Sequence, residues 1–144
     1  DIPRFAKTMK AIFSNVLDEE NLPKDNVNNL VMQAALESDY GTNPRGNGYN
    51  LGGIKAIGPD REKVGTKWSD NNYYRNFNNL YDYARYVVHL LDNRYNAIRT
   101  SPDNFIAALH GDNPGKYSYS GSSSTYAKNF QNMISLRKAL NETL

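Results

Sequence analysis

Gln33-Ala34-Ala35-Leu36-Glu37-Ser38-Asp39-Tyr40-Gly41 puts a glutamate at the end of an apolar segment, four residues before a glycine. The stretch completes a run of Val27, Leu30, Val31, Ala34, Ala35 and Ser38 at three- and four-residue steps, which predicts a central helix capped by Asp25 or Asn26 and stopped at Gly41. At ~100° per helical residue, Glu37 lies about 300° from Ala34, so it borders the buried stripe instead of opposing it. Partial desolvation of its carboxyl disfavours the charged form, and the negative end of the helix dipole acts the same way. A carboxyl that stays protonated near neutral pH is suited to proton donation. By position alone, however, a solvated glutamate near a helix end is the commoner arrangement, so the rest of the chain has to decide.

Upstream, Ile2, Phe5, Met9, Ile12, Phe13 and Val16 follow Pro3 at helical spacing and predict a packing helix over roughly the first seventeen residues. Downstream, Gly41, Gly46, Gly48, Gly52, Gly53 and Gly58 with Pro44 exclude regular helix and predict a shaped loop. Lys63 to Trp68 and Tyr73 to Phe77, separated by Ser69, Asp70, Asn71 and Asn72, predict a short β-hairpin, with the lobe spanning about residues 60–78. Leu80, Tyr83, Ala84, Val87, Val88 and Leu91 predict a helix, followed by a short one around Tyr95 and another opened by Ser101-Pro102. After a Gly/Ser/Tyr-rich loop from Gly111 to Ser124, the stripe Tyr126, Phe130, Met133, Ile134, Arg137 and Leu140 predicts one closing helix. The expected architecture is a mainly α (α+β) domain of 144 residues, helical with a small β-hairpin lobe.

The composition, 39% hydrophobic and 22% charged, is that of a soluble globular chain, and no stretch approaches the ~20 apolar residues of a membrane span. Lys+Arg 17 against Asp+Glu 15 gives a net charge of +2, too weak a bias to argue for nucleic acid and compatible with an anionic polymer. Cysteine is absent, which removes thiol nucleophiles, disulfides and thiolate metal sites. His89 and His110 are far apart with no ligand spacing around them, and no phosphate-cradling loop is present, so neither metal nor cofactor is expected. The serines from Ser118 to Ser124 lack a nucleophile-elbow motif. The chain starts at Asp1 without a leader, and a module of a longer polypeptide is the expectation.

Taken in order, "QAALESDYG", Tyr49-Asn50-Leu51-Gly52-Gly53-Ile54-Lys55, "YYRNF" around Tyr74, "LYDYARYVVHLL" and the late "TYAKNF" resemble the glucosaminidase family, glycoside hydrolase family 73, from about Val27 to Leu140. The resemblance implies a lysozyme-like fold, with the hairpin lobe beside an active-site groove and the peptidoglycan glycan backbone as substrate. It implies an extracellular, cell-wall or phage-virion setting. It makes Glu37 the general acid, with Asn50 and the Gly52-Gly53 backbone beside it as a wall of the groove. Tyr74 stands where the family has a phenylalanine, and Arg75 and Phe77 match the motif's basic and aromatic positions.

The family's second carboxylate lies in a threonine-x-glutamate-aromatic stretch on the hairpin, and here the pattern breaks. Thr66-Lys67-Trp68 offers Lys67 and Trp68 where acid is wanted, while Glu62 stands at the matching distance before Tyr74, with Asp60 and Asp70 as alternatives. Trp68 and Tyr74 are taken as substrate-binding positions. In the late loop Tyr119, with Tyr117 near it, matches the family's tyrosine segment as a third catalytic candidate, and Tyr126 matches a later tyrosine, although packing at a helix start also explains it. The leading expectation is an endo-acting hydrolase of β-1,4 links. A muramidase, a lytic transglycosylase using Glu37 alone, and a non-catalytic wall-binding module stand as alternatives.

Overall fold

A computed structural model describes residues 1–110 and 123–143. The chain opens with α1, Ile2–Glu19, whose buried face of Ala6, Met9, Phe13, Val16 and Leu17 follows the predicted spacing. The Asp1 carboxylate caps it by accepting from Arg4 N at 3.2 Å. Next comes α2, Val27–Ser38, buried over most of its circumference from Leu30 to Ala35 and so central, as the mixed small and apolar composition requires. Its N-cap is Asn26, but the side chain makes no capping bond. Instead the fully buried Asn26 amide donates to the carbonyls of Ala97, Ile98 and Thr100, tying α2 to a distant turn.

After the glycine-rich loop comes α3, a single turn at Arg61–Val64, and then β1, Gly65–Lys67, paired antiparallel with β2, Tyr73–Arg75, in the register Thr66↔Tyr74. The expected hairpin is present but shorter. Lys63 and Val64 hydrogen-bond back to the Asp60 carbonyl and so belong to the helical turn. The switch occurs at Gly65, where an added Cβ would sit 2.8 Å from both the Ala56 side chain and the Tyr74 carbonyl. On its other edge β2 takes a further rung: Arg75 N donates to Ile54 O at 2.8 Å and Ala56 N to Tyr73 O at 2.9 Å.

The helical body resumes with α4, Leu80–Asn93, capped by the Asn79 side chain. No separate helix forms around Tyr95; that residue lies in a turn that leaves α4, where Asn96 takes a φ of 53° and Ala97 N returns to Leu91 O. A 3₁₀ turn at Pro102–Asn104 then leads into α5, Phe105–His110. The expected single closing helix is two helices, α6, Ser123–Asn132, and α7, Ile134–Glu142. The break at Met133 lets Tyr126, Phe130 and Met133 face the core together with Leu136 and Leu140, and Arg137 donates to the freed carbonyls of Phe130 and Gln131. Lys10 of α1 donates to the carbonyls of Leu140 and Thr143 at 2.7 and 2.8 Å, putting a cation on the C-terminus of α7. Among the described residues no helix is long and apolar enough to cross a membrane.

Three edge-to-face aromatic rings join body to lobe: Phe13 of α1 meets Tyr83 of α4 at 6.2 Å, and Tyr83 meets Phe77, just past β2, at 5.8 Å. Phe13 is fully buried. Phe13→Ala should therefore cost about 3–5 kcal/mol of stability, the usual range for a buried aromatic truncated to alanine. A urea midpoint unchanged from that of the parent chain would show that the aromatic series does not hold the lobe to the body.

Candidate active site

The end of α2 is shaped by Ser38 and three left-handed residues. Ser38 is buried; its hydroxyl donates to Ala34 O at 2.6 Å and accepts from Gly41 N at 2.9 Å. The helix ends before Gly41, with Asp39 as its left-handed cap, and Asp39, Tyr40 and Gly41 take φ of 50°, 57° and 79°. Two of these are not glycine, a costly conformation that the surrounding bonds hold: Tyr40 N to Ala35 O and Asn43 N to Ser38 O, with the Tyr40 ring edge-on to Phe5. The chain thereby folds back and leaves Glu37 at a blunt helix end.

The Glu37 carboxyl is half-buried between two groups. Tyr126 of α6, itself 5% exposed, donates its hydroxyl to Oε1 at 3.3 Å. On the other side lies Gly53, where an added Cβ would be 3.5 Å from Oε2. Burial pushes the Glu37 carboxyl above the usual carboxylate range, and the Tyr126 hydrogen bond pulls against that shift. Tyr126 packs in the core, as one reading of it expected, and its hydroxyl also reaches Glu37.

Asn50 makes the loop that carries Gly53. Its side chain is 1% exposed and saturated: Nδ2 donates to Ile54 O at 2.8 Å and Arg75 O at 3.0 Å, while Oδ1 accepts from Ile54 N at 3.0 Å and Gly52 N at 3.3 Å. With both donors and both lone pairs engaged, it braces the loop instead of offering an amide to a sugar. The two glycines divide in role. Gly52 packs inward, where a Cβ would press on Ile54 and Tyr83; Gly53, at φ +60°, faces Glu37.

The lobe's candidates are drawn into its own packing. Tyr74 is 8% exposed, and its hydroxyl donates to Asp70, whose carboxyl is held at about 2, first by that bond and then by the Asn72 backbone. Trp68 lies edge-on to Tyr74 with the Arg45 guanidinium 4.7 Å over its ring, and among the described residues its buried Nε1 has no partner. Glu62 is exposed on α3 and accepts from the Tyr73 hydroxyl at 3.2 Å; it shares no hydrogen bond with Glu37. Tyr117 and Tyr119 lie outside the described residues.

Two further side chains border this site without a role expected from the sequence. The His110 ring lies 5.0 Å from that of Tyr126, with Nδ1 against Ile106 O at 2.9 Å, so this histidine, which has no ligand spacing around it, packs on the tyrosine that touches Glu37. Gln33, one helical turn before Glu37, is 1% exposed with its Nε2 unpartnered among the described residues. A glutamine within an otherwise apolar stripe was the available signal. Among the described residues no group of three or more His, Cys, Asp or Glu side chains is arranged to hold a metal.

A helical body beside a small two-stranded lobe is the arrangement of lysozyme-like glycoside hydrolases. The chain belongs to the glucosaminidase family, whose model, described as mannosyl-glycoprotein endo-beta-N-acetylglucosaminidase, matches residues 14–138. Among solved structures, it is similar to the glycoside hydrolase domain of Salmonella typhimurium FlgJ, at 23% identity and a TM-score of 0.65 over 99% of this chain and 91% of that one. It is also similar to the catalytic domain of the autolysin Auto from Listeria monocytogenes, at 18% identity and a TM-score of 0.62 over 98% of this chain and 87% of that one. A peptidoglycan hydrolase mutant from Sphingomonas sp. A1 matches at 20% identity and a TM-score of 0.64, over 96% and 97% of the two chains. No curated protein is a significant match.

The brace can be tested without an activity assay. Asn50→Asp keeps the shape but removes both donors, leaving the Ile54 and Arg75 carbonyls facing a buried carboxylate. At roughly 1–3 kcal/mol for each orphaned buried group, the variant should lose several kcal/mol in urea unfolding. Parent-like stability would mean that the loop is held by something other than this amide.

Proposed function

We propose that the chain cuts β-1,4 links of the peptidoglycan glycan backbone as an endo-acting N-acetylglucosaminidase, with Glu37 as general acid. The observation that carries this reading is the Glu37 carboxyl, desolvated at the end of α2 between Gly53 and Tyr126. Membership of the glucosaminidase family supports the glycosidic bond, and the wall-directed names of the Listeria and Sphingomonas proteins support the substrate.

In the proposed step Glu37 delivers its proton to the bridging oxygen as the bond from that oxygen to the anomeric carbon breaks. The carboxylate left behind keeps the Tyr126 hydroxyl as a donor, a bond that favours the charged form and so strengthens as the charge appears. Water completes hydrolysis, placing hydroxide on the anomeric carbon and giving up a proton. Glu62 is the proposed acceptor of that proton. If Glu62 does not take this part, the substrate's own acetamido oxygen, oriented by Tyr119, displaces the leaving group at the anomeric carbon; water then opens the resulting oxazolinium by breaking that new bond, and the Glu37 carboxylate takes the proton. A carboxylate base would need to lie ~6.5–9.5 Å from Glu37 and a carboxylate nucleophile ~5–5.5 Å. The proposed setting is the cell wall, reached from outside the cell or from a phage particle, with the chain as a module of a longer polypeptide.

Glu37→Gln should lower digestion of purified peptidoglycan by ~10²–10⁴-fold, since the amide keeps the shape and loses the proton. The same change should raise the melting temperature at neutral pH. Through the window between the ordinary and the raised carboxyl value, the folded protein holds a proton that the unfolded chain has released, so the parent loses stability as pH rises and the amide does not. The two melting temperatures should converge in acid. Undiminished turbidity loss by the variant would end the assignment.

Tyr126→Phe removes the bond that pulls the carboxyl down and should move the alkaline limb of the pH–activity profile upward. An unmoved limb would leave Tyr126 as packing alone. Glu62→Gln should reduce turnover nearly as much as Glu37→Gln if Glu62 handles the water, with Asp60→Asn and Asp70→Asn nearly silent. Product mass spectrometry should find reducing N-acetylglucosamine ends; 1,6-anhydro ends would make the chain a transglycosylase, and reducing muramic acid ends a muramidase.

A further inference from the structure

Tyr74 and Arg75 are adjacent on β2, so they face opposite sides of the lobe. Tyr74 turns into the lobe's packing, and Arg75 lies over the ring of Tyr86 on α4, its guanidinium carbon 4.6 Å from the ring centre. Tyr86 is itself held edge-on by Phe77 at 5.5 Å. Arg75 is half-buried as a residue, and among the described residues its guanidinium has no hydrogen bond and no carboxylate partner. It borders an open cavity of about 400 Å³ whose other polar groups come from Asn76, Asn78, Asp82, Arg85 and His89.

The charges of this cavity are unevenly satisfied. His89 lies 3.3 Å from Glu20, and Arg85 lies 4.0 Å from Glu19 while its guanidinium stacks on Tyr81. Arg75 alone among the cavity's cations is held by a ring and by no anion. A guanidinium held over an aromatic ring without a hydrogen-bond partner still has its N–H fork to offer an oxyanion. The Asn78 side chain adds an exposed amide without a hydrogen bond among the described residues, and Asp82 adds a carboxylate on the same wall. That carboxylate decides between anions. A polyphosphate-like chain would meet repulsion from Asp82, whereas a peptide carries N–H or ammonium groups close to its carboxylates and can satisfy both walls at once.

We propose that this cavity is a second binding site, which takes a carboxylate of the short peptides carried by the glycan strand being cut, with Arg75 as its anchor. The proposal rests on the peptidoglycan reading above. It gives the lobe two connected tasks: the Arg75 carbonyl holds Asn50, which braces the loop beside Glu37, and the Arg75 side chain holds the peptide. Arg75 thereby ties peptide recognition to the strand that positions the acid.

The test is calorimetric titration of Glu37→Gln protein, which binds without turnover, with soluble uncross-linked glycan strands that keep their peptides and with the same strands stripped by an amidase. Adding Arg75→Met should weaken binding to peptide-bearing strands about tenfold or more, the scale of a lost charge-assisted bond, and leave stripped strands unaffected. Arg75→Lys should fall between, because a point charge replaces the fork. Equal weakening on both strands would overturn the proposal, showing that Arg75 acts on the sugar groove or on the lobe's shape. Binding of soluble polyglycerol phosphate that Arg75→Met abolishes, with peptide-bearing strands unaffected, would overturn it in favour of a phosphate site. Should Arg75→Met fail to fold, Arg75→Lys alone must still separate the two strands. Because the readout is binding, a parent enzyme that cuts neither strand would refute the hydrolase reading while the difference between the strands still tested Arg75.

Discussion

The side-chain amide of Asn50 is the joint on which the rest of the site depends. One buried group engages Gly52, Ile54 and Arg75 with four hydrogen bonds, fixing the loop after α2 to the middle of the lobe. The rung from Arg75 N to Ile54 O extends the same join along β2. Gly53 falls between these anchors, so its position beside Glu37 is inherited from bonds made on either side of it. A loop of this glycine content has high conformational freedom when unfolded, and a saturated amide is an economical way to select one arrangement.

On the helical side, α2 carries Glu37 to the boundary of the core, and the Ser38 hydroxyl and three left-handed residues end the helix there. Desolvation and the tyrosine bond then oppose one another at the carboxyl. The first favours the neutral carboxyl; the second favours the carboxylate. At Glu37 burial is the larger of the two effects, and one long hydrogen bond from Tyr126 opposes it.

The lobe is small, and its interior is correspondingly aromatic. Trp68 meets Tyr74 edge-on with the Arg45 guanidinium over both rings on one face of β2, while Arg75 and Tyr86 meet on the other. Flat surfaces and guanidinium planes cover each other at low entropic cost, a workable substitute for an aliphatic core in a two-stranded element. Of these, Trp68 and Tyr74 are the substrate-binding candidates of the sequence, and both rings take part in holding the lobe together.

The sequence by itself determined the helical body, the hairpin and the place of the acid. Three- and four-residue spacing over α1, α2 and α4 reflects burial of one face, a local property that the order of residue types records. The position of Glu37 at the margin of such a face carried its desolvation with it. Tertiary structure decided what depends on distant partners. The split at Met133 follows from where the core lies, and the turn at Tyr95 from what α4 packs against, so a continuous apolar stripe could not reveal either. Asn50 resembled a ligand-binding amide because its saturating partners come from a loop and from a strand up to twenty-five residues away. Tyr126 reaches Glu37 across eighty-nine residues of chain, a contact that no local spacing encodes. The raised pKa of Glu37 therefore belongs partly to the sequence, through the helix that buries it, and partly to the fold, which brings α6 and the glycine loop against the same carboxyl.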